Sequence, residues 1–365
     1  MKHSWTPPGR RATFAPRRWP VRRTGARVGS VVQPPDELEL VCADFAPALD
    51  LLRRLGPRLD ILYPADDPHT ALLSYQGLRL RLTSRPGAPP PPADLPEFRP
   101  EFLVARAGSG SVEGRAGMAY RDLVPSRLGG RYIASHIRIA EGGPVADWVH
   151  FHRIAFQLIC VRRGWVRVVY QDQGEPFVMA AGDMVLQPPG IRHRVLESSP
   201  GLEVDEIGCP ALHETLADHD MLLPNGRPTA PNAYGGQLFL HHVAANSPWT
   251  DWHGGEAQAT ALADATGGLA EARTLRPGAS PDIEIPPHEG ELVFGFVLEG
   301  SARLDHGEGH ALGPADAFVI PPQAPWRIGR ASDDFRLLHV TTTVVGQSPS
   351  ISSLHTGHLR RRQSP

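Results

Sequence analysis

His150-Phe151-His152, followed by Gln157 and Gly164 and then by the run Gly182-Asp183-Met184-Val185-Leu186-Gln187-Pro188-Pro189-Gly190-Ile191-Arg192-His193, is the most informative part of the 365-residue chain. His150 and His152 are two positions apart, so on a strand both imidazoles leave from the same face. Gln157 sits on the next apolar segment, seven residues before a turn glycine. His193 follows a proline-glycine turn that brings the chain back across the sheet. Three imidazoles and an amide oxygen converging among strands make a donor set for one borderline divalent transition metal: iron, nickel, manganese, cobalt or zinc. Coordination positions left open would take substrate or water.

The texture around this run repeats. IRIAEGG (137–143) is echoed by TLRPGAS (274–280), Gly164 falls on Gly300 at an offset of 136, and AGDMVLQPP (181–189) is echoed by PADAFVIPP (314–322) at an offset of 133. Two copies of a strand-rich unit, punctuated by glycine and proline, follow one another. Two copies make two similar barrels; a solenoid would need three or more.

At these residues the sequence resembles the cupin superfamily, whose motifs run roughly G-x(5)-H-x-H-x(3,4)-E-x(6)-G and G-x(5)-P-x-G-x(2)-H. Gly143, His150, His152, Gln157 and Gly164 follow the first, with one additional residue after Gly143 and glutamine where glutamate is usual. Gly182, Pro188, Gly190 and His193 follow the second. The resemblance implies a mostly β chain with two tandem double-stranded β-helix (jelly-roll) barrels, the first (115–225) binding metal through His150, His152, Gln157 and His193. In the second (226–346) the corresponding positions hold Pro286, His288, Val293 and Trp326. Only His288 could ligate, and Trp326 is expected to fill the pocket. The second barrel is therefore read as carrying no metal site and as a structural element or a homo-oligomer contact.

Ahead of the barrels, residues 36–84 read as a small α/β unit. ELELVCAD suggests a strand; Asp44 offers an N-cap, with Phe45, Ala48, Leu49, Leu52 and Leu55 at helical spacing and Gly56 as the stop. RLDILY, TALLSY and LRLRLT follow, the last two joined at Gln76-Gly77 as a hairpin. This β-α-β-β-β order resembles one module of the glyoxalase/vicinal-oxygen-chelate superfamily. Residues 85–114 read as a stiff linker, because 86–100 contain seven prolines.

Composition narrows the function classes. Glycine (37) and proline (38) are abundant, which favours a turn-rich β body. Residues 1–35 carry eight basic side chains and no acid, and read as a disordered arm; the rest holds 29 basic against 39 acidic residues, a net of −10. So acidic a body argues against nucleic acid as a partner. No run of 18 apolar residues suggests a membrane span. Cys42, Cys160 and Cys209 are too dispersed for a disulfide framework, and no secretory pattern precedes them, so a cytoplasmic protein is expected. The tail 347–365 reads as disordered.

The partner expected is a small-molecule substrate. Candidate acid/base groups beside the metal are Glu206, His136 and Tyr170, although strand parity leaves open which face of the His136 strand looks inward. With Gln157 in place of glutamate, a bound cation keeps more of its charge, which suits polarising a carbonyl or enolate. Isomerase/lyase-type chemistry on an oxo-acid or sugar-like substrate is the preferred reading. Two alternatives stand beside it: a non-haem metal dioxygenase, since cupins with three histidines include such enzymes, and a bicupin that binds a small ligand without turnover.

Overall fold

A computed structural model of the chain describes residues 37–108, 110–113 and 118–345. The basic arm and the C-terminal tail lie outside the described residues.

The amino-terminal unit has the β-α-β-β-β order: strand Leu38–Val41, helix Phe45–Leu55, then strands Arg58–Tyr63, Thr70–Tyr75 and Leu78–Thr83. Gly56 ends the helix with φ +115°, a conformation that favours a residue without Cβ, and its N–H bonds the Arg53 carbonyl. Asp44 precedes the helix in an extended conformation, but its side chain makes no capping bond. Gln76 and Gly77 both have positive φ, as a two-residue type I′ hairpin requires. The apolar side of the helix, Phe45, Ala48, Leu49 and Leu52, packs on Leu59, Leu62, Leu73, Leu80 and Leu82. Trp148, from the loop before the histidine pair, joins the same cluster.

That small sheet does not stand apart. Arg58–Tyr63 pairs with Thr215–Ala217, which pairs with His150–His152, which pairs with His193–Ser198. Trp165–Tyr170, Phe177–Ala180 and the short strand Gly143–Pro144, which pairs with His193–Ser198, complete a ten-stranded sheet running from the amino-terminal unit into the first barrel. A seven-stranded sheet faces it, with Phe156–Arg163 inside it between Met184–Leu186 and Leu202–Cys209, and Ile133–Ile139 beyond. The second copy is built alike, from a seven-stranded sheet containing Ala270–Pro277, Arg336–Thr342 and Leu292–Glu299, and a four-stranded sheet containing Ile283–Ile285 and Trp326–Gly329. Each barrel is a pair of open sheets with its own inner core, Val161, Val166, Val168 and Met179 in the first, Leu275, Ile283, Leu304 and Phe318 in the second.

Two segments cross the boundaries read from the repeat. Leu103–Ala105, inside the stretch taken as a linker, pairs with Ala317–Val319 in the second barrel. Leu240–His242, assigned to the second copy, pairs with Met184–Leu186 in the first. Both place apolar side chains against the surface where the barrels meet (Leu103, Ala105 and Leu240), which proline content and repeat register do not encode.

The two seven-stranded sheets pack back to back. Phe156, Leu158 and Cys160 from one and Phe294, Phe296, Leu338 and Val340 from the other share one buried core. Fully burying a side chain of this size contributes about 1.5–3 kcal/mol, so a few of them suffice to hold the barrels as one body. This face of the second barrel is thus used within the chain. A buried ion pair crosses the same surface: Arg131 bonds Glu291 through Nε at 2.9 Å and a terminal nitrogen at 2.8 Å, and the Tyr132 hydroxyl donates to Glu291 at 2.8 Å.

Gly295 shows how tightly the second barrel is filled. A Cβ there would lie 2.2 Å from the Phe318 ring, which occupies the space instead. Gly295→Val is therefore expected to destabilise the fold by about 1–3 kcal/mol or more through overpacking. Thermal denaturation checks this; an unchanged melting temperature would contradict the packing described.

Candidate metal centre

His150 and His193 are directly opposed on neighbouring antiparallel strands, and His152 lies two residues along on the same face as His150. The ring centroids of His150 and His193 are 4.3 Å apart, and those of His152 lie 5.2 and 5.3 Å from the other two. One ligand atom from each ring falls within 4.8 Å of the others, the arrangement of a metal-binding triad. All three are buried: His150 is 0% exposed, His193 5% and His152 6%.

Backbone and hydroxyl partners orient the rings. The Nδ1 of His150 contacts the Trp148 carbonyl at 2.7 Å and that of His193 the Ile191 carbonyl at 3.1 Å, so in a neutral ring Nδ1 carries the proton and Nε2 the lone pair. The Nδ1 of His152 meets the Thr215 hydroxyl at 3.1 Å. Asp147 stands 3.5 Å from the His150 Nδ1 and accepts the Val195 N–H at 2.9 Å, tying the loop before the histidine pair to the His193 strand. Partners of this kind fix tautomer and ring direction at metal sites.

Gln157 reaches the same space from the opposite sheet. Its side-chain amide donates to Glu206 at 2.6 Å, while its Oε1 is buried with no hydrogen-bond partner. An unpaired buried carbonyl costs roughly 1–3 kcal/mol, and a cation among the histidines would remove that cost. The donor set thus fits a divalent metal: three imidazole nitrogens and one amide oxygen. Glu206 supports it by turning the amide so that oxygen, not nitrogen, is left over. The sequence offered Glu206 as an acid/base candidate without pairing it to Gln157. The structure does so because Ile159 lies opposite Glu206 and Gln157 opposite Gly208, putting the two side chains on adjacent positions of one face.

These groups line a cavity of about 100 Å³. Its wall is mostly apolar, with Met118, Ile137, Ile159, Val168 and Val204 among the contributors, and among the described residues it contains no arginine or lysine. Val166 and Val168, missed from the sequence, alternate with Arg167 along their strand; that parity was the available signal. Ala65, from the loop after strand Arg58–Tyr63, also reaches the cavity, and no sequence signal pointed to it.

Two of the expected acid/base groups fall elsewhere or do something else. His136 does not reach the cavity: Ile137 and Ile139 take the inner face, and His136 turns outward to Asp205 at 2.8 Å and stacks on Phe296 of the second barrel. Tyr170 lines the cavity, but its hydroxyl accepts from Gln187 at 2.6 Å and burial pushes its pKa well up. Its ring lies nearly parallel to His193, with centroids 5.4 Å apart, so it serves as packing and as a fixed neutral dipole. Of the three, Glu206 remains with a carboxylate in the cavity.

In the second barrel Pro286, His288, Val293 and Trp326 meet around a cavity of about 150 Å³. Trp326 walls this space without filling it, contrary to the expectation. His288 spends its Nε2 on the Thr342 carbonyl at 2.8 Å. Among the described residues the only cluster of His, Cys, Asp or Glu able to hold a metal is the first-barrel triad.

The fold is that of the bicupins. One solved structure that it resembles is a variant of Bacillus subtilis oxalate decarboxylase, at 14% identity over 70% of this chain and 81% of the other, with a TM-score of 0.51. Another is a putative glyoxylate-induced protein from Pseudomonas aeruginosa, at 14% identity over 69% of this chain and 92% of the other, with a TM-score of 0.50. No protein-family model matches the sequence, and no curated protein does. No helix among the described residues is long and apolar enough to cross a membrane.

Replacing Glu206 by leucine should let the Gln157 amide rotate and weaken divalent-metal binding by about 10–100-fold, as loss of such supporting partners does elsewhere. His193→Ala should weaken it further. Competition with a metallochromic chelator measures both, and affinities equal to that of the unaltered protein would contradict the assignment.

Proposed function

We propose that the chain is a metal-dependent enzyme that shifts a proton on a small oxo compound, an isomerase/lyase-type reaction with His150, His152, His193 and Gln157 as ligands. The observation that carries this reading is the Gln157–Glu206 pair, which presents a neutral oxygen to the metal position and a carboxylate to the substrate. A divalent metal bound there would act as a Lewis acid on a carbonyl oxygen, keeping more of its charge than with a carboxylate ligand.

Glu206 supplies the proton transfer. One of its oxygens accepts from Gln157, and no hydrogen bond among the described residues engages the other. That oxygen can take a proton from the carbon next to a carbonyl and return it to the neighbouring atom, so the carboxylate ends as it began. The mostly apolar wall lowers the local polarity, and a substrate filling the cavity would displace water and strengthen the electrostatic interactions inside. Because the described residues of the wall include no arginine or lysine, they offer no second countercharge to a dianion such as oxalate. They also offer few hydroxyl partners, so a compact oxo compound with an apolar body suits the cavity better than a polyhydroxylated sugar.

A cupin dioxygenase is the second reading, favoured by the same mostly apolar wall and three-histidine triad. The two separate on oxygen. Under the preferred reading, a small oxo compound incubated with the metal-replete chain in deuterium oxide exchanges its α-hydrogen without oxygen uptake. Oxygen consumed in step with substrate loss would transfer the assignment to the dioxygenase, and binding without either would leave a ligand-binding protein.

The substitution Gln157→Glu is the more searching test. It should slow proton exchange by about 10–1,000-fold if about 1.4–4 kcal/mol of transition-state stabilisation is lost. It also sets two carboxylates where a hydrogen bond of 2.6 Å now runs, so they must share a proton and one apparent pKa rises. Metal binding needs the ligand ionised; affinity in the variant should therefore climb with pH through that raised pKa. Undiminished exchange with pH-independent metal binding would count against the mechanism.

A further inference from the structure

The second-barrel cavity lies where the first barrel has its metal site, because the four residues at the ligand register all line it. Three ligand positions have become Pro286, Val293 and Trp326, yet the opposite sheet has become more polar, not less. His339 on strand Arg336–Thr342 corresponds to Glu206 at the repeat offset of 133. The pairing agrees: His339 lies opposite Gly295 as Glu206 lies opposite Ile159. Across the other neighbouring strand, Arg273 faces His339 where Ser135 faces Glu206. A fixed guanidinium thus stands near a place where the first barrel would hold a cation.

His339 is 3% exposed, and neither ring nitrogen has a hydrogen-bond partner. Burial, with Arg273 and His288 nearby, holds its pKa down at about 3, so the ring is neutral and presents one N–H and one lone pair. Leaving both buried and unpaired is costly, and a built cavity beside them is where a ligand would repay it. Arg273 lies over the Trp252 ring at 5.0 Å and bonds Glu271 through one terminal nitrogen, the only nitrogen of the guanidinium so engaged among the described residues. Glu271 is half exposed and itself lines the cavity, so a ligand carboxylate would take the remaining guanidinium nitrogens or displace Glu271 towards solvent. Trp252 and Trp326 flank His339, with ring centroids 5.9 and 5.7 Å away. A cavity of about 150 Å³ admits a single aromatic ring.

We propose that the second barrel is a metal-free binding site for a small planar carboxylate, held by Arg273 and His339 between Trp252 and Trp326. Guanidinium and carboxylate match in a bidentate geometry, the His339 N–H supplies a further donor, and the indoles take the flat body. This site is independent of the chemistry assigned to the first barrel.

Calorimetric titration of benzoate into the full-length, metal-replete chain is the test. One site with Kd below about 1 mM is expected, and benzamide and inorganic phosphate should each bind at least about tenfold more weakly, a difference of about 1.4 kcal/mol. Arg273→Met should weaken benzoate by the same factor or more, whereas His193→Ala should leave this site intact. His339→Leu should also lose benzoate, yet melt no lower without ligand, since it removes an unpaired buried imidazole. If His339→Leu does not fold, the Arg273 arm decides alone. No benzoate binding, or binding abolished by His193→Ala and kept by Arg273→Met, would overturn the proposal.

Discussion

The hydrogen bond from the Gln157 amide to the Glu206 carboxylate governs what the first barrel can do. It joins two strands of one sheet and spends the amide nitrogen, so that the buried oxygen is left facing the three-histidine triad of the opposite sheet, a donor set that fits a cation. Without it, the amide could present nitrogen, which cannot ligate, and the carboxylate would have no fixed place. Charge is set by the same bond: the negative group sits one step back from the triad, and under the proposed function it would move a proton there without neutralising a bound cation directly. The opposite sheet contributes the complementary rigidity, each imidazole being turned by a carbonyl or hydroxyl on its far side.

This arrangement depends on packing well away from it. The strand carrying Gln157 has its other face, Phe156, Leu158 and Cys160, in the core shared by the two barrels. The strand carrying the histidine pair is flanked by Thr215–Ala217 and, through it, by the sheet of the amino-terminal unit. The second barrel and the small α/β unit therefore brace the two sides of the cavity. That gives a physical reason for a long chain around one small triad. It also accounts for His136: a polar residue on the inter-barrel face must be satisfied there, and Asp205 and Phe296 do so.

Much of this was legible in the sequence. The strand period put His150 and His152 on one face, and the proline-glycine turn with the motif spacing brought His193 to them. The helix stop at Gly56 and the Gln76-Gly77 turn were readable because only a few residues tolerate positive φ. What escaped is what depends on partners distant in sequence. Parity assigned His136 and Ile137 to opposite faces but not to inside or outside, since that depends on where the second barrel packs. The pairing of Leu103–Ala105 and Leu240–His242 across the repeat boundary was hidden for the same reason. The second cavity was hidden because the size of Trp326 does not say where its ring lies, and the ring packs beside Phe318 and His339 at the wall of the cavity.

Anomalous diffraction from crystals grown with a divalent transition metal addresses the central claim most directly. The account predicts one ion per chain, bonded by nitrogens of His150, His152 and His193 and by Oε1 of Gln157, with the amide nitrogen of Gln157 still on Glu206. Anomalous density absent from this triad, or an ion there with Gln157 turned away and Glu206 as the fourth ligand, would contradict it.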